Sequence, residues 1–206
     1  MNAYWIICKI YALGSAYRSR TAQCYNIPMK LPEKIETERL IIYPMSPRFT
    51  KEIFENFTQE ITKFMFPSVP QDMSDTEAFV ADAISKNETG EDFQIFYTDK
   101  SGEFIGCGGL HHIDTNTPEF GVWVKKSAHG HKYGREAMLA LKKWADTNIQ
   151  YKYLKYPVDK NNIASRKIPE SMNGVIEDSY PYKTASGETL DSIEFRIYRD
   201  SNKKIQ

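Results

Sequence analysis

Between Phe93 and Val124 three strand-length apolar runs follow one another across short turn signals, and the chain then passes directly into one long helix-period segment. Phe93-Gln94-Ile95-Phe96-Tyr97 leads into the turn Asp99-Lys100-Ser101-Gly102, and Phe104 to Leu110 returns as the second arm of a hairpin. After a second turn near Asp114–Pro118, the third run is Glu119-Phe120-Gly121-Val122-Trp123-Val124. Period two puts Phe120, Val122 and Val124 on one face, with Glu119, Gly121 and Trp123 on the other. From about His131 to Ile149, Ala137, Leu141, Trp144 and Ala145 form an apolar stripe, with Lys142, Lys143 and Asp146 expected on the surface. Such a helix is roughly 28 Å long at 1.5 Å per residue. A meander feeding a helix of that length predicts a sheet covered by helices, an α+β architecture.

The flanks extend the pattern. Leu40-Ile41-Ile42-Tyr43 predicts a strand ending at Pro44, and Phe49, Ile53 and Phe57 predict a helical face over about 47–57. Ser74, followed by Asp75-Thr76-Glu77, offers a helix start, with Phe79, Val80, Ala83 and Ile84 as its buried stripe. Downstream come a strand at Tyr153–Val158, a helix near Ile163–Met172, and closing strands at about Val175–Tyr180 and Ser192–Tyr198. Residues 1–28 differ in texture and read as an extension outside the core fold, so the domain is expected over 29–206.

Charge and cysteine usage exclude several function classes. Lys plus Arg is 27 and Asp plus Glu is 27, a formal net charge of zero, so nothing draws the chain electrostatically to nucleic acid or an anionic membrane. No apolar run reaches the length of about 18 residues that a membrane helix needs. Lys9 interrupts the apolar stretch opening at Tyr4 and no basic residue precedes it, so a secretory signal is not expected. Cys8, Cys24 and Cys107 are too few and scattered for a disulfide framework, which points to a reducing, cytoplasmic setting. No carboxylate or thiolate spacing joins the histidines into a metal site, and none is expected.

The segment that carries chemistry joins the third strand to the long helix: Trp123-Val124-Lys125-Lys126-Ser127-Ala128-His129-Gly130-His131-Lys132-Tyr133-Gly134-Arg135-Glu136-Ala137. At a helix start the first backbone N–H groups lack partners, and the dipole favours an anion there. Gly130 and Gly134 permit tight turning, and Lys125, Lys126, Lys132 and Arg135 add positive charge. A pyrophosphate suits such a site, although neither a Walker loop nor Gly-x-Gly-x-x-Gly is present. Glycines and basic residues also occur at many strand–helix joins without a ligand.

In this order of elements the loop resembles the acyl-CoA-binding segment of the GNAT superfamily of acetyltransferases, in particular the branch of ribosomal-protein N-terminal acetyltransferases. The family's loop runs Gln/Arg-x-x-Gly-x-Gly/Ala; here His129 replaces the Gln/Arg and Lys132 the first glycine, and Arg135-Glu136-Ala137 continues as in relatives. Asn162-Ile163-Ala164-Ser165 resembles the family's Asn-x-x-Ser helix, and Glu36-Thr37-Glu38-Arg39-Leu40 resembles the branch's first strand. The resemblance covers about 34–199. It implies a mixed, mainly antiparallel central sheet flanked by helices, with acetyl-CoA as acetyl donor and an amine as acceptor. It implies a coenzyme site formed by Trp123, Val124, His129, Gly130, His131, Lys132, Tyr133, Gly134, Arg135, Asn162 and Ser165.

Two departures bear on the chemistry. Many relatives carry a tyrosine seven residues after the Asn to protonate the leaving thiolate, and that position is Pro169 here, which should also distort or end the helix. Asn173 stands where relatives have glycine, and Asn tolerates a left-handed cap. Glu119 is the candidate base and Ser165 the candidate hydrogen-bond donor to the thiolate, while His111 and His112 end the preceding strand on opposite faces. Phe64-Met65-Phe66-Pro67 reads as acceptor-pocket lining or as apolar core. A coenzyme-binding protein of the same fold without transferase activity is the alternative reading. The choice between monomer and homodimer, and between protein N-terminus and small amine, stays open.

Overall fold

Aromatic and β-branched residues in period two build a central sheet, seen in a computed structural model that describes residues 31–199. The expected extension over 1–28 lies outside the described residues. Eight strands occur among the described residues: β1 (Ile35–Glu36), β2 (Leu40–Pro44), β3 (Phe93–Asp99), β4 (Phe104–His111), β5 (Glu119–Val124), β6 (Leu154–Asp159), β7 (Val175–Lys183) and β8 (Thr189–Ile197). They lie side by side in the order β1-β2-β3-β4-β5-β6-β8-β7. Every neighbouring pair is antiparallel except β5–β6, which is parallel and is joined by a long crossover, as parallel pairing requires.

Helices cover both faces. On one lies α4 (Tyr133–Asn148), whose Met138 and Leu141 are wholly buried against Leu110, Phe120 and Leu154. Each such burial is worth roughly 1.5–3 kcal/mol. On the other lie α1 (Thr50–Asn56), α2 (Gln59–Thr62) and α3 (Met73–Thr89), over Phe49, Phe96, Phe104, Cys107 and Trp123. The short α5 (Ile163–Glu170) follows β6. The alternation read for β5 holds, with Phe120 in the α4-side core and Trp123 in the opposite one. Among the described residues no helix is long and apolar enough to cross a membrane.

The boundaries correct several expectations. Asp72, not Ser74, caps α3: its carboxylate accepts from the Ser74 amide at 2.8 Å, so the helix begins one residue before the serine. The segment 47–57 opens as a 3-10 turn over Pro47–Phe49 and closes before Phe57. The long helix begins at Tyr133 rather than His131, because Gly130 (φ 83°) and Lys132 (φ 64°) are left-handed and a helical turn cannot pass through them. Lys142 is buried, not on the surface, with its ammonium 2.8 Å from Asp146 one turn on. Pro169 sits in the last turn of α5, which stops at Glu170. Asn173 takes the left-handed conformation (φ 57°) expected of it.

Candidate functional site

β5 is fully paired on one side only. Along β4 it keeps six residue pairs, from Gly106↔Val124 to His111↔Glu119, whereas along β6 it keeps one, Glu119↔Lys155. Beyond that pair the parallel strands diverge. Lys125 N–H donates to Ile105 C=O (2.9 Å), which makes Gly106↔Val124 a non-hydrogen-bonded pair and turns the polar groups of Val122 and Val124 away from β4, toward the open side. Trp123, one residue out of phase, faces β4, and its carbonyl accepts from the buried Tyr97 hydroxyl at 2.8 Å. Gly106 is required for this contact, since a Cβ there would stand 2.2 Å from the Trp123 oxygen. The open edge is therefore held rigidly from behind.

The open edge ends at the start of α4. His129 folds back and donates from Nε2 to the Val124 carbonyl (2.8 Å), and His131 donates from Nδ1 to the His129 carbonyl (2.9 Å). The first backbone bond of α4 runs from Glu136 N–H to Lys132 C=O, and no side chain caps the helix. The amides of Tyr133, Gly134 and Arg135 thus form the uncapped end, where an anion is favoured. Gly134 lets this turn lie on the sheet: a Cβ would be 3.2 Å from Val124 Cγ2. Of the basic residues expected to add charge, Lys125 and Lys126 are already paired with Glu103 and Glu60.

Residues almost a hundred positions upstream fix the loop. Arg39 donates from Nε to Glu136 (2.7 Å) and from Nη1 to the His131 carbonyl (3.0 Å), and its guanidinium lies 4.9 Å over the Tyr133 ring. Thr37 Oγ1 donates to the same Glu136 carboxylate at 2.6 Å. Burial alone would raise the Glu136 carboxyl, but the Thr37 and Arg39 donors outweigh it and hold the group below the ordinary glutamate value. The Glu36–Leu40 opening, expected as a first strand, is instead the turn from β1 into β2, and it carries this latch.

On the far side of the gap stands α5. The Asn162 side chain accepts from the Ser165 amide at 3.1 Å, the capping role expected of it. Ser165 Oγ lies 2.8 Å from the hydroxyl of Tyr156, a β6 residue that sequence reasoning did not single out. Burial pushes the Tyr156 phenol well above its ordinary value, so it stays a neutral hydroxyl that can donate. Pro169 is buried within the same helix and brings no polar group.

The opposite face of β4–β5 gathers titratable groups. Burial pushes the Glu119 carboxyl above its ordinary value, opposed in part by His111 and Lys155. Directly across the strand pair, His111 donates from Nδ1 to Asp92 (3.1 Å). His112 does not share this arrangement; it is exposed and takes a positive φ of 57°. Glu91, Asp92 and His112 offer ligand atoms within 4.8 Å of one another, a grouping the sequence did not suggest. The Asp92 oxygens, however, already accept from Gln94, His111 and the His112 amide. Of the Phe64–Pro67 stretch, Met65 packs on the core opposite α4 and Phe66 on Tyr182, 5.4 Å between ring centres.

The family model of the acetyltransferase (GNAT) domain matches residues 39–174. A search of curated proteins finds no match. Among solved structures, RimL, the ribosomal L7/L12 α-N-protein acetyltransferase in complex with coenzyme A, is 13% identical, with 82% of this chain and 100% of that chain covered and a TM-score of 0.74. An acetyltransferase from Salmonella typhimurium that modifies the N-terminal serine of ribosomal protein L7/L12 is 12% identical over 80% and 97% of the chains, TM-score 0.69. The microcin C7 self-immunity acetyltransferase MccE, in complex with acetyl-CoA and AMP, is 14% identical over 79% and 94%, TM-score 0.70. At these identities the likeness is one of fold, and it includes the ribosomal-protein acetyltransferases that the sequence resembles. The family match spans most of the chain, the splayed β5–β6 pair and the uncapped α4 included: the protein belongs to the GNAT family of acetyltransferases.

Proposed function

We propose that this chain transfers the acetyl group of acetyl-CoA to a primary amine, a protein N-terminus or a small-molecule amine, by direct attack on the thioester. The observation that carries the reading is the open edge of β5 running into the uncapped start of α4. A pantetheine arm can pair with the Val122 backbone and the Val124 N–H, the Val124 carbonyl being held by His129, while the pyrophosphate meets the amides of Tyr133, Gly134 and Arg135. His129, Gly130 and His131 shape the approach to that end, and Lys132 adds an exposed ammonium. The thioester then falls between β5 and the start of α5, beside Asn162 and Ser165.

An alkyl amine with a pKa of about 10.4 is mostly protonated at pH 7 and cannot attack. Glu119 is the proposed base, acting directly or through one water, and its raised affinity for a proton suits the task; a positioned base contributes about 10²–10⁴-fold. As the amine nitrogen bonds to the carbonyl carbon and the carbon–sulfur bond breaks, the thiolate takes a proton from Ser165, whose hydroxyl is oriented by Tyr156 and regains its proton from the nitrogen as the amide forms. Pro169 favours the alternative of coenzyme binding without transfer; the Ser165–Tyr156 pair answers it, because it supplies a hydroxyl where the family's tyrosine is missing. A cytoplasmic protein, monomeric or homodimeric, fits the reading.

Thiol release from acetyl-CoA with a panel of amines, a serine-initiated tetrapeptide among them, tests it. Amine-dependent release, lowered at least about 100-fold by Glu119→Gln, is expected. Coenzyme binding with no amine-dependent release would leave the binding protein as the correct reading.

A further inference from the structure

We propose that the Asp92–His111 pair is the second station for the amine's proton: His111 receives it from Glu119 and returns it to solvent. The inference rests on the transferase reading above and adds a residue pair to its acceptor side. Asp92 is 2% exposed at the side chain, and both its oxygens are occupied, Oδ1 by the His112 amide (2.8 Å) and Oδ2 by Gln94 (3.0 Å) and His111 (3.1 Å). A carboxylate so held is not free to turn, so it fixes the imidazole with Nδ1 as donor. Nε2 is thereby left as the proton-accepting nitrogen of the neutral ring.

That nitrogen lies over the β5 backbone beside its open edge. His111 and Glu119 are direct cross-strand partners on one face. The ring lies over Gly121, where a Cβ would come within 3.0 Å of Nε2. Gly121 is one residue from Val122, whose backbone faces the open side of β5, and with Gly109 opposite it this face carries no side chains between Trp123 and Glu119. An amine reaching a thioester in the gap from this face crosses the Gly121 backbone, with Glu119 on one side and His111 above. His111 is also 36% exposed, which gives the proton an exit.

The charges around the ring support this direction of transfer. Glu119 faces it from β5 and Asp92 from the loop before β3, where Glu91 lies near Asp92 and His112, and His112 follows it in the chain; Lys155 of β6 lies beside Glu119, Lys86 of α3 acts on Asp92, and Glu194 of β8 acts on Glu119. Carboxylates stand on both sides of the ring, Asp92 hydrogen-bonded to Nδ1 and Glu119 opposite it across the strand pair. The balance is simple. One proton of the ammonium passes to Glu119, on to His111, and out to solvent; the second leaves the nitrogen as the amide forms and replaces the proton Ser165 gives to the thiolate. His111 would be a proton-transfer residue and Asp92 a positioning residue.

The test measures kcat and kcat/KM across pH with acetyl-CoA and a serine-initiated tetrapeptide for the full chain, His111→Gln, His111→Ala and Asp92→Asn, with calorimetry of acetyl-CoA on each. We expect both histidine variants to bind acetyl-CoA as the parent does, to lose about 100-fold in kcat near neutrality, and to flatten the acid limb of the profile. Added imidazole should restore His111→Ala in proportion to its concentration. Asp92→Asn should shift the limb rather than abolish it. Parent-like kcat and pH profile in His111→Gln, or a loss in His111→Ala that imidazole does not touch, overturns the proposal. Loss of acetyl-CoA binding by the parent chain would instead overturn the transferase reading.

Discussion

Lys132→Gly is the substitution in which two effects of the loop can be separated. Lys132 holds φ at 64°, a region where an L-residue pays about 1–2 kcal/mol and glycine pays nothing. Glycine also gives the unfolded chain more freedom, which returns roughly 0.5–1 kcal/mol of the gain. The net expectation is stabilisation by about 0.5–1 kcal/mol, a rise in Tm of about 2–3 °C for a domain of this size. The same change removes an exposed ammonium from the uncapped end of α4. A charge pair at about 4 Å in water is worth about 1 kcal/mol, so affinity for CoA should fall about fivefold at low salt and little at high salt. Differential scanning calorimetry reads the first effect and isothermal titration at two salt concentrations the second. An unchanged or lower Tm refutes the strain argument. Tighter CoA binding would mean that Lys132 crowds the diphosphate instead of attracting it.

Other substitutions probe the supports of the site. Glu136→Gln should destabilise by about 1.5 kcal/mol at pH 7, because two charge-assisted donors from Arg39 lose their partner. The folded-state carboxyl is depressed, so this contribution is complete above the unfolded glutamate value and fades as pH falls through the folded one; the parent–variant gap in urea midpoints should close at acid pH. Gly106→Ala should cost several kcal/mol, or expel Trp123 from its register, since a Cβ would overlap the Trp123 carbonyl at 2.2 Å; chemical denaturation and tryptophan fluorescence report it. Asn162→Ala should cost about 1 kcal/mol through the lost α5 cap, read as a lower urea midpoint.

What could be read from the residues was whatever local pattern determines. The three-strand meander, the faces of β5 and the helix stripe depend on periods of two and 3.6, and the structure keeps them. The corrections arise where a local preference meets a competitor. Ser74 is a good cap, but Asp72 two residues earlier captures its amide and hydroxyl. Lys142 looks like surface by residue type, yet Asp146 one turn on lets it be buried. Lys132 takes a left-handed backbone that a glycine would hold without strain.

Long-range pairing was invisible. The Arg39–Glu136 latch joins residues 97 positions apart, and the Tyr97 hydroxyl reaches the Trp123 carbonyl across β4. The separation of β5 from β6 is a property of two strands distant in sequence, with α4 between them. The same holds for the acceptor side. His111 and Glu119 were noticed separately, but only the β4–β5 register sets them opposite one another, and only the loop before β3 brings Asp92 beneath the imidazole.

Isothermal titration of the purified chain with acetyl-CoA bears most directly on the account. Saturable one-to-one binding is expected, with amide resonances of Val122, Val124, Tyr133, Gly134 and Arg135 shifting together in a parallel NMR titration. No heat of association, or shifts confined to residues away from the β5 edge and the α4 start, would contradict it.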